Sequence, residues 1–134
     1  MALLRNNSQN LINPNETPTM LAIATVAVEN MAKTTDFGIS VIQWLKETYP
    51  LCQVTSAPQL NAANSGANVF YLYAQSVIND PSTDDHRTWI QPVPTKFMMT
   101  GVQQLAKGYE EDYLNATAGA FLKRPWAVVR RTGI

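Results

Sequence analysis

The run Gly119-Ala-Phe-Leu-Lys-Arg-Pro-Trp-Ala-Val-Val-Arg-Arg-Thr-Gly-Ile134 is rich in Val, Phe and Trp and carries four basic residues. Upstream, Gly108-Tyr-Glu-Glu-Asp-Tyr-Leu114 has the same β-like make-up, and the turn-forming Asn115-Ala-Thr-Ala-Gly119 lies between them. Two extended runs joined by a short polar connector with a glycine predict a β-hairpin over 108–134. Nothing in it has the look of an active site.

Working back from this hairpin, residues 69–73 (Val-Phe-Tyr-Leu-Tyr) form the most convincing strand, since most are aromatic or β-branched. Ser40 and Gln43 stand at the spacing of a capping box, and Ile42, Leu45 and Tyr49 recur at helical steps. A helix over 40–49 follows, stopped by Pro50. Residues 51–55 are a strand candidate, and 19–24 a short apolar strand after Pro18. Between them, 26–33 reads as a short helix with Thr25 as a possible cap. Residues 88–93 read as an edge strand because of Pro92, and 97–105 stays open between strand and loop. Residues 1–18 are polar and without period, and read as an arm or loop.

The expected class is α+β: a central mixed sheet flanked by two main helices, with a β-rich C-terminal half. One domain is expected, divided into an arm over 1–18, an α/β part over 19–107 and the hairpin over 108–134. At 134 residues the chain is long enough to bury a core without metals or disulfides. Ten basic residues balance ten acidic ones, which gives no net pull towards nucleic acid or anionic membrane. The lone Cys52 excludes an intrachain disulfide. No apolar run approaches the roughly 20 residues that span a bilayer. The first residues lack the charged-then-apolar pattern of a secretory leader.

His86 is the single histidine. It sits in the polar loop 81–87 beside Asp84 and Asp85, and a solvated loop residue is the plainer reading. A hydrolase or ligand site of Cys52, Asp84 and His86 is the enzymatic alternative, but Cys52 falls inside an apolar strand, where thiols are buried and inert. Glu110, Glu111 and Asp112 alternate faces on a strand and assemble no general-acid pair. Lys123, Arg124, Arg130 and Arg131 alternate likewise, so no continuous basic stripe for nucleic acid forms. Pairing of these cations with Glu110, Glu111 and Asp112 across the hairpin is expected instead. No catalytic residue, cofactor site or metal site emerges.

The order of segments resembles something more specific. Thr17-Pro-Thr-Met-Leu, Ser40-Val-Ile-Gln-Trp-Leu-Lys-Glu-Thr-Tyr-Pro50, Ala57-Pro-Gln-Leu60, Asn68-Val-Phe-Tyr-Leu-Tyr73, Gly119-Ala-Phe-Leu-Lys-Arg-Pro-Trp-Ala-Val and the closing Gly133-Ile134 together resemble the C-terminal part of tailed-phage and prophage major capsid proteins. These have the Hong Kong 97-like fold. The resemblance covers nearly all of the chain beyond residue 11. The family's N-terminal arm, extended loop and spine helix have no counterpart, and Ala24-Thr25 stands where a proline is expected. The resemblance therefore implies a fragment, a truncated prophage gene or a domain expressed alone, resembling the family's axial domain, and a role in self-assembly of an icosahedral head. An encapsulin-like compartment shell is the alternative within the same fold. Implied partners are copies of the chain and other phage head proteins, with DNA enclosed by the shell; the implied location is the virion, after a stage in the host cytoplasm. Loops 61–67 and 81–87 become candidates for contacts at a local symmetry axis, through Asn61, Asn64, Asp84, Asp85 and Arg87. Glu110, Glu111, Lys123, Arg124, Arg130 and Arg131 become candidates for contacts between subunits along the return path to the peripheral domain.

Overall fold

The computed structural model describes residues 1–34, 36, 38–81 and 85–134. Residues 1–18 are not an arm. They begin with α1 (Ala2–Asn7), and Leu4 and Ile12 are fully buried. The hydroxyl of Ser8 donates to the Arg5 carbonyl at 2.9 Å and accepts from the Ile12 amide at 3.2 Å, which closes the turn after the helix. Leu3 and Leu4 adjoin, but only Leu4 turns inward, so the segment shows no apolar period despite being anchored in the core.

After Pro18 the chain enters β1 (Thr19–Ile23), whose burial alternates as a strand between two unlike faces should. Two helices follow, α2 (Thr25–Ala32) and α3 (Val41–Thr48), then β2 (Cys52–Ser56). Thr25 is the first residue of α2 rather than its cap; Ala24 holds that place. Ser40 does cap α3, its hydroxyl accepting the Gln43 amide at 3.2 Å. The Gln43 side chain reaches forward to Glu47 at 3.0 Å instead of back, so only half of the capping box forms. A strand, a helical crossover and a strand place β1 and β2 parallel. β3 (Val69–Ala74) adds antiparallel on the other side of β1.

The sheet is completed by β8 (Val128–Thr132), which pairs antiparallel with β3, giving the order β2-β1-β3-β8. The hairpin expected over 108–134 is therefore misplaced. Its second half belongs to the central sheet, while its first half pairs elsewhere. Leu21, Ile23, Phe70 and Leu72 share one face of the sheet, and there they meet Leu45 of α3 and Ala27 and Met31 of α2. The main core lies in this layer, each fully buried aliphatic side chain contributing roughly 1.5–3 kcal/mol. Met20, Ala22, Tyr71 and Tyr73 point to the opposite face, where the Tyr73 hydroxyl donates to Met20 Sδ at 2.9 Å.

Where one domain is expected, the chain divides into two compact units, residues 1–88 with 124–134, and residues 89–123. The second unit has a short ladder of β4 (Trp89–Ile90) with β7 (Phe121–Leu122). Beyond it runs a long hairpin of β5 (Thr95–Leu105) and β6 (Gly108–Ala116), closed by Ala106 and Lys107 and interrupted by two register shifts. The open segment 97–105 is thus a strand, and it takes the partner that the sequence assigns to 119–134. No residue of this unit is buried.

Candidate functional site

The first surface is the connector after β3. Arg124, a candidate for a subunit contact from the sequence, is 3% exposed. Its Nε lies 2.6 Å from Asp80 Oδ2, and Nη1 donates to the carbonyls of Asp85 and Arg87 at 2.8 Å each. A planar guanidinium offers several donors in a fixed fork, so one side chain can gather a carboxylate and two carbonyls. The connector is thereby fastened to the single helical turn Pro125–Ala127 that leads into β8. Asp85 and Arg87 remain exposed and pair with one another at 3.3 Å. Asp84 lies outside the described residues. His86 is half-buried, its Nδ1 enclosed without a hydrogen-bond partner among the described residues. Cys52 is buried in β2, and no hydrogen bond joins it to His86 among the described residues. No cluster of metal-ligating side chains occurs among the described residues.

The second surface is loop 61–67. Ala62 and Ser65 have φ of 52° and 50°, in the left-handed region that side chains disfavour, and Gly66 follows at 88°. The loop holds this conformation through Asn68, whose side-chain oxygen accepts the Ala62 amide at 3.0 Å, and a bridge between Asn64 and Ala67. Arg130 of β8 donates to the Asn64 side-chain oxygen at 3.2 Å. Two residues expected separately, Asn64 and Arg130, are thus one feature. Asn61 Oδ1 is buried without a hydrogen-bond partner among the described residues, while Arg131 on the next position of β8 is exposed.

The third surface is the hairpin of the second unit. Its Phe97 and Tyr113 rings stack at 5.1 Å with 9° between planes, yet they are 70% and 53% exposed. Met99, Tyr109 and Leu114 are also exposed. Glu110 and Glu111 lie opposite Gln103 and Val102 in the register, and Asp112 opposite Gly101, so the expected ion pairing across a hairpin does not occur. Glu111 instead accepts the Tyr113 hydroxyl at 2.6 Å, which holds that phenol above the ordinary tyrosine range. Lys123, half-buried, precedes the return into the first unit and lies in no strand.

Sequence reasoning missed Arg124 as an interior residue because its partner Asp80 is 44 positions away. It missed the apolar hairpin because residues 97–105 carry no strict alternation. No helix among the described residues is long and apolar enough to cross a membrane.

A family model described as Pa193 gp26 major capsid protein matches residues 1–133. Among solved structures, the capsid of Myoviridae phage XM1 superposes with a TM-score of 0.64 at 17% identity, over 98% of this chain and 42% of that one. The virus-like particle from Pyrococcus furiosus gives a TM-score of 0.49 at 18% identity, over 95% of this chain and 48% of that one. A search of curated proteins finds no match. The chain spans less than half the length of the solved proteins it resembles, and the likeness to the XM1 capsid establishes a shared α+β fold.

Proposed function

The chain belongs to the Pa193 gp26 major capsid protein family, and we propose that it works as a shell-building subunit that assembles with copies of itself. The observation that carries this reading is the second unit. A two-stranded hairpin is at best marginally stable in water, and here it has no buried residue and exposes Phe97, Met99, Tyr109 and Tyr113 along its length. A surface of that kind is expected where a neighbouring protein supplies the missing half of a core. Closed symmetry then multiplies a contact that is weak in one pair.

The role is structural, the protein's place is the virion after a stage in the host cytoplasm, and the shell encloses DNA without reading its sequence. Other head proteins meet its outer surfaces. Loop 61–67, held in a strained conformation, and the Asp85–Arg87 end of the Arg124-fastened connector are the contacts we assign to a local symmetry axis. Both are polar, exposed and fixed from within the first unit, as contact loops need to be. Electron microscopy of the purified chain at rising concentration tests the reading. Rings or closed particles are expected, and a species that stays monomeric at every concentration contradicts it.

A further inference from the structure

The central sheet ends at β8, and the hairpin has its own outer edge at β6. The Gly133 amide donates to the Asn68 carbonyl. That fixes the alternation along β8: Arg131 and Val129 exchange hydrogen bonds with β3, while the amides and carbonyls of Val128, Arg130 and Thr132 point away from the sheet. In the hairpin the pair Leu105–Gly108 closes a two-residue turn and so exchanges its hydrogen bonds, as do Gln103–Glu110 and Gly101–Asp112. The backbone groups of Tyr109, Glu111 and Tyr113 therefore face the outer edge of β6.

The two edges match in chemistry as well as in spacing. β6 carries Glu110, Glu111 and Asp112 in sequence, and β8 carries Arg130 and Arg131. All five are exposed, and none forms an ion pair within the chain among the described residues. We propose that β6 of one copy adds antiparallel to β8 of a second copy, setting Tyr109, Glu111 and Tyr113 opposite Thr132, Arg130 and Val128. In this register every outward-facing backbone group of one strand meets one of the other. Glu111 shares a face with the partner's Arg130, and Glu110 shares the opposite face with the partner's Arg131. Tyr113 lies over the partner's Val128, which continues the aromatic face of the hairpin onto Tyr71 and Tyr73 of the partner's central sheet. Opposite charges directly across a strand pair stabilise it, and a shift by one residue would set the outward-facing backbone groups of each strand against inward-facing groups of the other. The pairing rests on the shell-subunit reading and names the surface by which two subunits join.

Cross-linking tests it. In a Cys52→Ala background, one chain carries Glu110→Cys and a second, of distinguishable size, carries Arg131→Cys. These positions form a close, non-hydrogen-bonded pair with Cα atoms about 4.5 Å apart, within disulfide reach. Mixed and oxidised with dioxygen and copper phenanthroline, they should yield a covalent heterodimer several-fold above that from Glu110→Cys mixed with Arg130→Cys. Equal yields, or no heterodimer, overturn the proposal. Each chain has a single thiol, so a link within one molecule cannot mimic the result. Should Cys52→Ala fail to fold, charge reversal in the wild-type background decides. Glu111→Arg and Arg130→Glu should each abolish self-association and together restore it; single variants that associate normally overturn the pairing. Particles without the 110–131 link would leave the shell reading standing and this contact refuted. The link without particles would do the reverse.

Discussion

Arg124 and Asp80 form an ion pair inside the first unit, Nε 2.6 Å from Oδ2 with side chains 4% and 17% exposed. The guanidinium holds two connector carbonyls through Nη1 in addition to Asp80. A buried pair adds little to stability over an apolar pair of the same shape. Removing one partner is a different matter, because the other charge stays buried alone.

Arg124→Ala should therefore lower stability by about 3–5 kcal/mol in urea denaturation. Arg124→Lys should recover only part of it, since an ammonium cannot place donors on Asp80 and both carbonyls with the geometry of the planar fork. A loss for the alanine variant within experimental error of zero would refute the anchoring role.

Residues 1–12 should behave as core. Leu4→Ala, at a fully buried position, should cost about 2–5 kcal/mol. Leu3→Ala next to it, 50% exposed, should fall within about 0.5 kcal/mol of wild type. Equal effects at the two positions would mean that α1 does not dock as described.

Ser40→Ala removes the oxygen that accepts the Gln43 amide and should destabilise by about 0.5–2 kcal/mol. Ser40→Asp, which keeps an acceptor at the start of α3, should remain close to wild type. Thermal unfolding of the three proteins side by side makes the comparison.

Tyr113 should titrate above ordinary tyrosine, first because its proton is held by the Glu111 carboxylate and second through desolvation. The folded value is raised, so the bond's contribution is fully present below the unfolded tyrosine pKa. It is lost as pH rises through the folded one. Ultraviolet titration of Glu111→Ala against wild type should show one phenol moved down towards the ordinary range. Superimposable curves would argue against the bond.

The local parts of the fold were legible in the sequence. β1, β3, α3 and its Ser40 cap follow from residue spacing within short windows, and β1–α2–α3–β2 predicts a helix-covered sheet. The errors concern pairing over distance. Asn115–Gly119 has the composition of a turn, whereas Ala106–Lys107 has none of the usual turn residues, so the sequence points β6 to the wrong partner. β8 reads as half of a local hairpin because nothing in Val128–Thr132 records that its neighbour is β3. Arg124 and Arg131 are the same residue type in the same basic run, yet one is interior and the other exposed. The difference lies in Asp80 and in two backbone carbonyls, and backbone partners leave no mark on a sequence. Of the candidate contacts, Asn64 and Arg130 proved to be joined, but only the structure puts the loop beside the strand.

Amide hydrogen exchange, compared between dilute monomer and the associated state, tests the central claim most directly. The outward amides of Tyr109 and Glu111 on β6, and of Arg130 and Thr132 on β8, should exchange fast in the monomer and become protected together on association. Association with both edges still exchanging at monomer rates would contradict the account.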